Sequence, residues 1–129
     1  MDILLDTHIL LWAITEPERL PTEVQARLMD PHRTVFFSTA SIWEIGIKAS
    51  LGKTDFPFQP HPVYALAIET GFTELAVTSV HACAVARLPW LHRDPFDRLL
   101  VAQAKILGLR LLTVDTVLVA YSDLVELIN

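Results

Sequence analysis

Residues 94–115 read Asp94-Pro95-Phe96-Asp97-Arg98-Leu99-Leu100-Val101-Ala102-Gln103-Ala104-Lys105-Ile106-Leu107-Gly108-Leu109-Arg110-Leu111-Leu112-Thr113-Val114-Asp115, and this stretch decides the fold class. Asp94 followed by Pro95 is a helix start, because a carboxylate accepts from the free first-turn N–H groups and proline lacks an N–H that the first turn does not use. Phe96, Leu99, Leu100, Ala104 and Leu107 then share one helical face, and Gly108 ends the helix. Leu111–Val114 is short, apolar and partly β-branched, a strand that stops at Asp115. An amphipathic helix leading directly into a short apolar strand is the currency of an α/β fold.

The rest of the chain repeats that alternation. Ile3-Leu4-Leu5 is a short apolar run, strand or buried helix by pattern alone; its length and the residues after it favour a strand ending at Asp6, with a helix from Thr7. Pro17 and Pro21 bracket a break, Pro21 opens a helix to Met29, and Asp30-Pro31 stops it. Thr34-Val35-Phe36-Phe37 is a second strand, and Ser38 or Thr39 caps a helix carrying Ile42, Trp43, Ile45 and Ile47 to about Gly52. Residues 56–62 hold three prolines and read as a loop. A helix is expected from Val63 to Gly71, a strand near Leu75–Val77, a helix capped by Thr78 or Ser79 through Leu88, and a last strand within Leu124–Ile128. The expected architecture is a three-layer α/β/α fold around a central, mostly parallel sheet. Right-handed crossovers then put every strand-to-helix junction on one edge, where ligands bind.

At 129 residues the chain suits one domain, residues 1–129, and the 52% hydrophobic content excludes a disordered polypeptide. The longest apolar run, Ile9–Ile14, is far short of the roughly 20 residues of a membrane span. The Met1 end has no basic lead and no small-residue cleavage site, so no secretory signal is expected. Cys83 stands alone, ruling out an internal disulfide, and reads as a small core residue; a reducing cytoplasm fits. The net charge of −5 argues at first against a polyanionic partner. Setting aside Asp6, Glu44, Asp97 and Asp115 leaves eleven acidic residues against ten basic ones, so an RNA substrate is neither supported nor excluded by composition.

Those four acids lie far apart in sequence, yet the topology brings them to one sheet edge. Asp6 and Asp115 each follow a strand, Glu44 lies on the helix after the second strand, and Asp97 sits in the first turn of the Asp94 helix. Each has a plainer reading: Asp6 as a helix cap, Asp97 as a first-turn acid suiting the helix dipole, Glu44 as the partner of Lys48 four residues on, Asp115 as a turn residue. Four at one edge is another matter. Clustered carboxylates repel unless one holds a proton or a dication neutralises them, and oxygen donors without clustered His or Cys select Mg²⁺ or Mn²⁺. Carboxylates holding such ions are the equipment of phosphodiester hydrolysis.

At this point the chain resembles the PIN-domain ribonucleases, in particular the VapC-type toxins of prokaryotic toxin–antitoxin pairs. Four stretches carry the resemblance in order: Leu4-Leu5-Asp6-Thr7-His8, Ser38-Thr39-Ala40-Ser41-Ile42-Trp43-Glu44-Ile45, Asp94 to Ala104, and Gly108 to Asp115. The resemblance implies Asp6, Glu44, Asp97 and Asp115 as metal-binding catalytic acids and RNA cleavage to a 5′-phosphate and a 3′-hydroxyl. It also implies a homodimer and a small antitoxin protein that covers the groove. Thr7, Thr113 and Ser38 match hydroxyl positions that orient the acids or the substrate; Ser38 serves equally as a helix cap.

His92, Arg93 and Arg98 surround the third acid and Lys48 lies one helical turn beyond Glu44, all candidates for backbone phosphates, with Arg98 and Lys48 equally readable as neutralising nearby carboxylates. His8 and His81 read as packed or solvated, and Trp43 and Trp90 as core or dimer-interface residues. The apolar run Ile9-Leu10-Leu11-Trp12 is compatible with a buried subunit contact. The competing readings are a PIN-type nuclease of RNA processing, a receiver-like signalling domain and a catalytically dead relative. A receiver would need adjacent acids after its first strand and a Lys after a late one, where this chain has Thr7 and no Lys after Val114.

Overall fold

Short apolar runs and amphipathic helices alternate through all 129 residues of the computed structural model. The strands are β1 (Ile3–Leu5), β2 (Val35–Ser38), β3 (Thr73–Leu75), β4 (Arg110–Thr113) and β5 (Val125–Leu127). The helices are α1 (Thr7–Thr15), α2 (Thr22–Leu28), α3 (Thr39–Ser50), α4 (Pro60–Thr70), α5 (Ser79–Val85) and α6 (Pro95–Leu107), with 3-10 turns at Pro17–Arg19 and Thr116–Tyr121. The five strands form one sheet in the order β3-β2-β1-β4-β5, and every pairing is parallel.

Alternation along the strands sorts the core into two layers. Ile3, Leu5, Val35, Phe37 and Leu112 point to one face and pack with α1, α2, α3 and α4 through Ile9, Val24, Ile45 and Val63. Leu4 and Leu111 point to the other, meeting Leu100, Val101 and Ala104 of α6 and Leu118 and Tyr121 of the second 3-10 turn. Both faces of a parallel sheet must be covered, so the strands read as continuous apolar runs. The arrangement is the expected three-layer α/β/α fold. No helix is long and apolar enough to cross a membrane.

Several local expectations shift. The fourth helix opens at Pro60, not Val63, because Pro60 and Pro62 occupy a first turn that needs no proline N–H. Edge strand β3 spans Thr73–Leu75 because Val77 N leaves the ladder and donates to Thr39 Oγ1 at 3.2 Å. The fifth helix stops at Val85, where the Val85 carbonyl accepts from Arg98 at 3.0 Å. Cys83 is exposed, not core. The apolar face of α1 (Ile9, Leu10 and Leu11) is consumed by the chain's own core, so its hydrophobicity needs no partner subunit. Trp43 and Trp90 are 65% and 79% exposed and contribute to neither core.

The chain builds β1, β2 and β3 outward on one side, then returns to lay β4 and β5 on the other side of β1. Strand order therefore switches between β1 and β4, and the crevice beyond their carboxyl ends is where such sheets bind ligands. Receiver domains use the order 2-1-3-4-5 instead; that alternative does not survive the topology.

Candidate active site

Asp6 leaves β1 and caps α1. Its Oδ1 accepts from Ile9 N at 2.8 Å. Its Oδ2 accepts from Thr113 Oγ1 at 2.6 Å and from Val114 N at 3.3 Å, across the switch point. Capping and site roles coexist because they use different oxygens. Thr113, fully buried on β4, also accepts from Asp115 N at 3.0 Å, so one hydroxyl ties the first acid to the last. Asp115 follows β4 and caps the next turn, its Oδ1 accepting from Val117 N.

Glu44 arrives from α3 and is 5% exposed. Thr7 Oγ1 lies 2.6 Å from Glu44 Oε1 and 3.0 Å from Ser41 Oγ. A hydroxyl has one proton; Thr7 gives it to the carboxylate and accepts from Ser41. Lys48 Nζ holds the other oxygen of Glu44 at 3.0 Å. Asp97 arrives from the first turn of α6, whose N-cap Asp94 accepts from Phe96 N and Asp97 N. His92 Nε2 lies 2.7 Å from Asp115 Oδ2 and 3.2 Å from Asp97 Oδ2.

These groups line one cavity of ≈ 280 Å³, formed by Asp6, Thr7, Glu44, Lys48, His92, Asp97 and Asp115 with His8, Asp94 and Val114. All four acids expected from the sequence are there. A larger cavity of ≈ 480 Å³ lies by the amino ends of β2 and β3, lined by residues such as Leu20, Met29, Val35 and Phe72, and holds no acid cluster. The acid cluster lies in the smaller one.

The electrostatics record the crowding. Burial, then the charges of Asp94, Asp6 and Glu44, push the Asp97 carboxyl up to about 7, with His92 opposing. Burial also pushes Asp6 up, against hydrogen bonds from Thr113, Ile9 and Val114 and the charge of His8. No Arg or Lys pairs with Asp6, Asp97 or Asp115; Lys48 beside Glu44 is the one such partner among the four acids. Oxygen donors converging without matching cations fit a hard dication. Nε2 of His92 and carboxylate oxygens of Asp97 and Asp115 lie within 4.8 Å of one another, so the two carboxylates are close enough to share one divalent ion.

The outlying candidates separate. Lys48 lines the cavity, and exposed Arg93 borders an adjoining one with Lys48, Asp94 and Phe96. Arg98 does not belong with them: it is 3% exposed, donates to Pro89 O, Val85 O and Tyr121 Oη, and lies 4.0 Å from the Trp90 ring centre. One helical step past Asp97 turns it into the protein. Ser38 is fully buried, caps α3 through Ala40 N and lies outside the cavity lining. Sequence reasoning gave His92 only a phosphate-binding part; its place in the loop entering the helix of the third acid was the available signal. Ser41, three residues before Glu44 on the same helix face, went unnoticed.

The sequence matches the PIN domain family over residues 3–124. No curated protein matches the chain. Among solved structures, VapBC2 from Rickettsia felis, bound to a DNA fragment from their promoter, is 16% identical over 100% of both chains with a TM-score of 0.74. A toxin–antitoxin complex from Klebsiella pneumoniae is 18% identical over 97% of this chain and 96% of that one, TM-score 0.65. FitAcB from Neisseria gonorrhoeae is 23% identical over 98% and 96%, TM-score 0.58. At such identities the structural likeness speaks for the fold; the family match and the topology together establish that this chain belongs to the PIN-domain family.

Proposed function

We propose that residues 1–129 form a single nuclease domain that hydrolyses RNA phosphodiester bonds with Mg²⁺ or Mn²⁺ held by Asp6, Glu44, Asp97 and Asp115, and that it is the toxin of a toxin–antitoxin pair. The observation that carries this reading is the convergence of four carboxylates, three without an Arg or Lys partner, in one cavity at the β1/β4 switch point. A bound dication supplies the positive charge that acidifies an attacking water and neutralises the departing oxygen.

The chain's own groups do the rest. Thr113 and two backbone N–H groups fix the Asp6 carboxylate, and Thr7 and Lys48 fix that of Glu44. Burial and neighbouring carboxylates raise Asp97 to about 7 in the metal-free protein, so Asp97 would have to be ionised to hold the dication. Lys48 and Arg93 at the rim contact phosphates and position the strand without reading its bases. Cleavage to a 5′-phosphate and a 3′-hydroxyl follows from the family resemblance. Likeness to toxin–antitoxin complexes supports an antitoxin as partner. Exposed Trp43 and Ile47 on α3, with Leu51 at its C-terminal cap, suit the antitoxin or a second copy of the chain as a homodimer.

The test is cleavage of labelled RNA by the purified chain. Activity with added Mg²⁺ or Mn²⁺, none in excess chelator, and none in a folded Asp6→Asn variant is the expected result. Full cleavage under chelation or in that variant overturns the mechanism. Growth arrest on expression, relieved by a co-expressed upstream-encoded partner, supports the toxin role; cleavage without arrest points to RNA processing.

A further inference from the structure

His92 sits between two site acids, and its ring nitrogens have different partners. On the outer side Nδ1 accepts from Arg93 N at 2.9 Å and from Asp94 N at 3.3 Å. Two N–H groups aimed at one nitrogen require a lone pair there, so the ring proton is on Nε2. That N–H faces Asp115 Oδ2 at 2.7 Å, with Asp97 Oδ2 at 3.2 Å as the weaker acceptor of the same proton. A histidine that ligates a metal does the opposite: its free nitrogen coordinates and its other N–H donates outward. Bringing the Nε2 lone pair to a cation would put a proton on Nδ1 facing two backbone N–H groups, forfeiting both hydrogen bonds and setting donor against donor.

The loop that carries His92 is itself clasped. Tyr121 Oη, at the end of the turn that follows Asp115, donates to Pro89 O at 2.9 Å, and its lone pairs are shared among Leu91 N at 3.2 Å, His92 N at 3.0 Å and Arg98 Nη1 at 3.1 Å. Arg98 Nη1 holds the same Pro89 carbonyl at 2.9 Å, and Nη2 holds Val85 O at 3.0 Å. Arg98 follows Asp97 on α6, so the knot connects the two elements that supply Asp97 and Asp115 with the loop that leads into α6.

We propose that His92 is a positioning residue: as the Nε2–H tautomer, clasped through Tyr121 and Arg98, it bridges Asp115 and Asp97 and sets their spacing for the dication without ligating it. The proposal rests on the metal-site reading above. It assigns Arg98, whose sequence position suggests a phosphate contact, to holding the loop that aims His92.

The experiment uses the full-length, ¹⁵N-labelled protein. Long-range ¹H–¹⁵N correlation spectra distinguish the two ring nitrogens. The expected result is a protonated, pyrrole-type Nε2 and a pyridine-type Nδ1 in the metal-free protein, unchanged when Mg²⁺ is titrated to saturation. Calorimetric Mn²⁺ binding is measured in parallel. His92→Ala is expected to lose about 10- to 100-fold in affinity, the usual effect of removing a group that orients a metal ligand. His92→Gln, whose amide N–H reaches the same place, recovers most of that loss, which a purely structural role would not predict. Tyr121→Phe, which keeps the packing and deletes the hydroxyl, weakens binding by about fivefold. Transfer of the ring proton to Nδ1, Nε2 shifts typical of coordination, wild-type affinity in His92→Ala, or equal losses in the Ala and Gln variants each overturn the proposal. Absence of Mn²⁺ binding by the unmodified protein overturns the metal-site reading as well; binding that the His92 variants leave untouched overturns this proposal alone.

Discussion

Asp97→Asn should make the metal-free protein more stable, by a margin that grows as pH rises from about 4 to about 7. The native carboxyl titrates at about 7, against an ordinary value near 3.8. Its folded value is raised, so the folded protein binds more protons than the unfolded chain between those limits. Stability from this group is fully present below about 4 and is lost as pH rises through about 7. A separation of about three on the pH scale, at about 1.4 kcal/mol each, sets a ceiling of about 4 kcal/mol. The Asp97 side chain keeps 19% of its exposure, so solvent screening lowers the expected gain to about 2–3 kcal/mol. Urea unfolding followed by circular dichroism in chelator, at about pH 5 and about pH 8.5, reads it out directly. At the lower pH the unfolded Asp97 is already largely ionised while the native one is protonated, so the variant should lead by only about a third of that margin there, and by the full margin at the higher pH. Adding Mn²⁺ at about 100 times its dissociation constant should return about 2.7 kcal/mol to the parent and little to the variant. A variant that is less stable at high pH, or offset equally at both, would refute the argument that uncompensated charge at the site strains the fold.

The other expectations are simpler. Thr113→Val deletes the hydroxyl that serves both Asp6 and Asp115 at nearly constant volume; it should cost about 1–3 kcal/mol in urea unfolding and lower Mn²⁺ affinity. Arg93→Ala should weaken RNA binding across sequences and reduce the slope of log affinity against log salt by about one, measured by fluorescence anisotropy with an inactive Asp6→Asn background. Arg98→Met should lose about 1–3 kcal/mol of stability by removing the charged hydrogen bonds to Pro89 O, Val85 O and Tyr121 Oη, with no comparable change in salt slope. Leu112→Ala, at a fully buried position in the central sheet, should cost about 2–5 kcal/mol with the transition still cooperative.

The placing of the four acids shows how far residues alone can go. Asp6 and Asp115 were legible because each directly follows a run whose length and composition make a buried parallel strand, and parallel strands end on one edge. Glu44 and Asp97 were legible because a capped helix must begin at that edge. Chain-local geometry is short-range and repeats with a known period, so spacing encodes it.

Partnership is different in kind. That Arg98 turns inward while Arg93 stays exposed depends on where the Val85–Trp90 segment lies, and no spacing along α6 states it. His92 became informative only when its two nitrogens could be matched to donors and acceptors from three separate segments. Cys83 and the two exposed tryptophans went the same way, since burial is decided by what packs on top. The sequence by itself determined the α/β class, the elements and which acids share an edge, because these follow from local periodicity and crossover handedness. Only the tertiary structure decided which side chains meet, because hydrogen bonds and desolvation act over a few ångströms between residues that the chain keeps far apart.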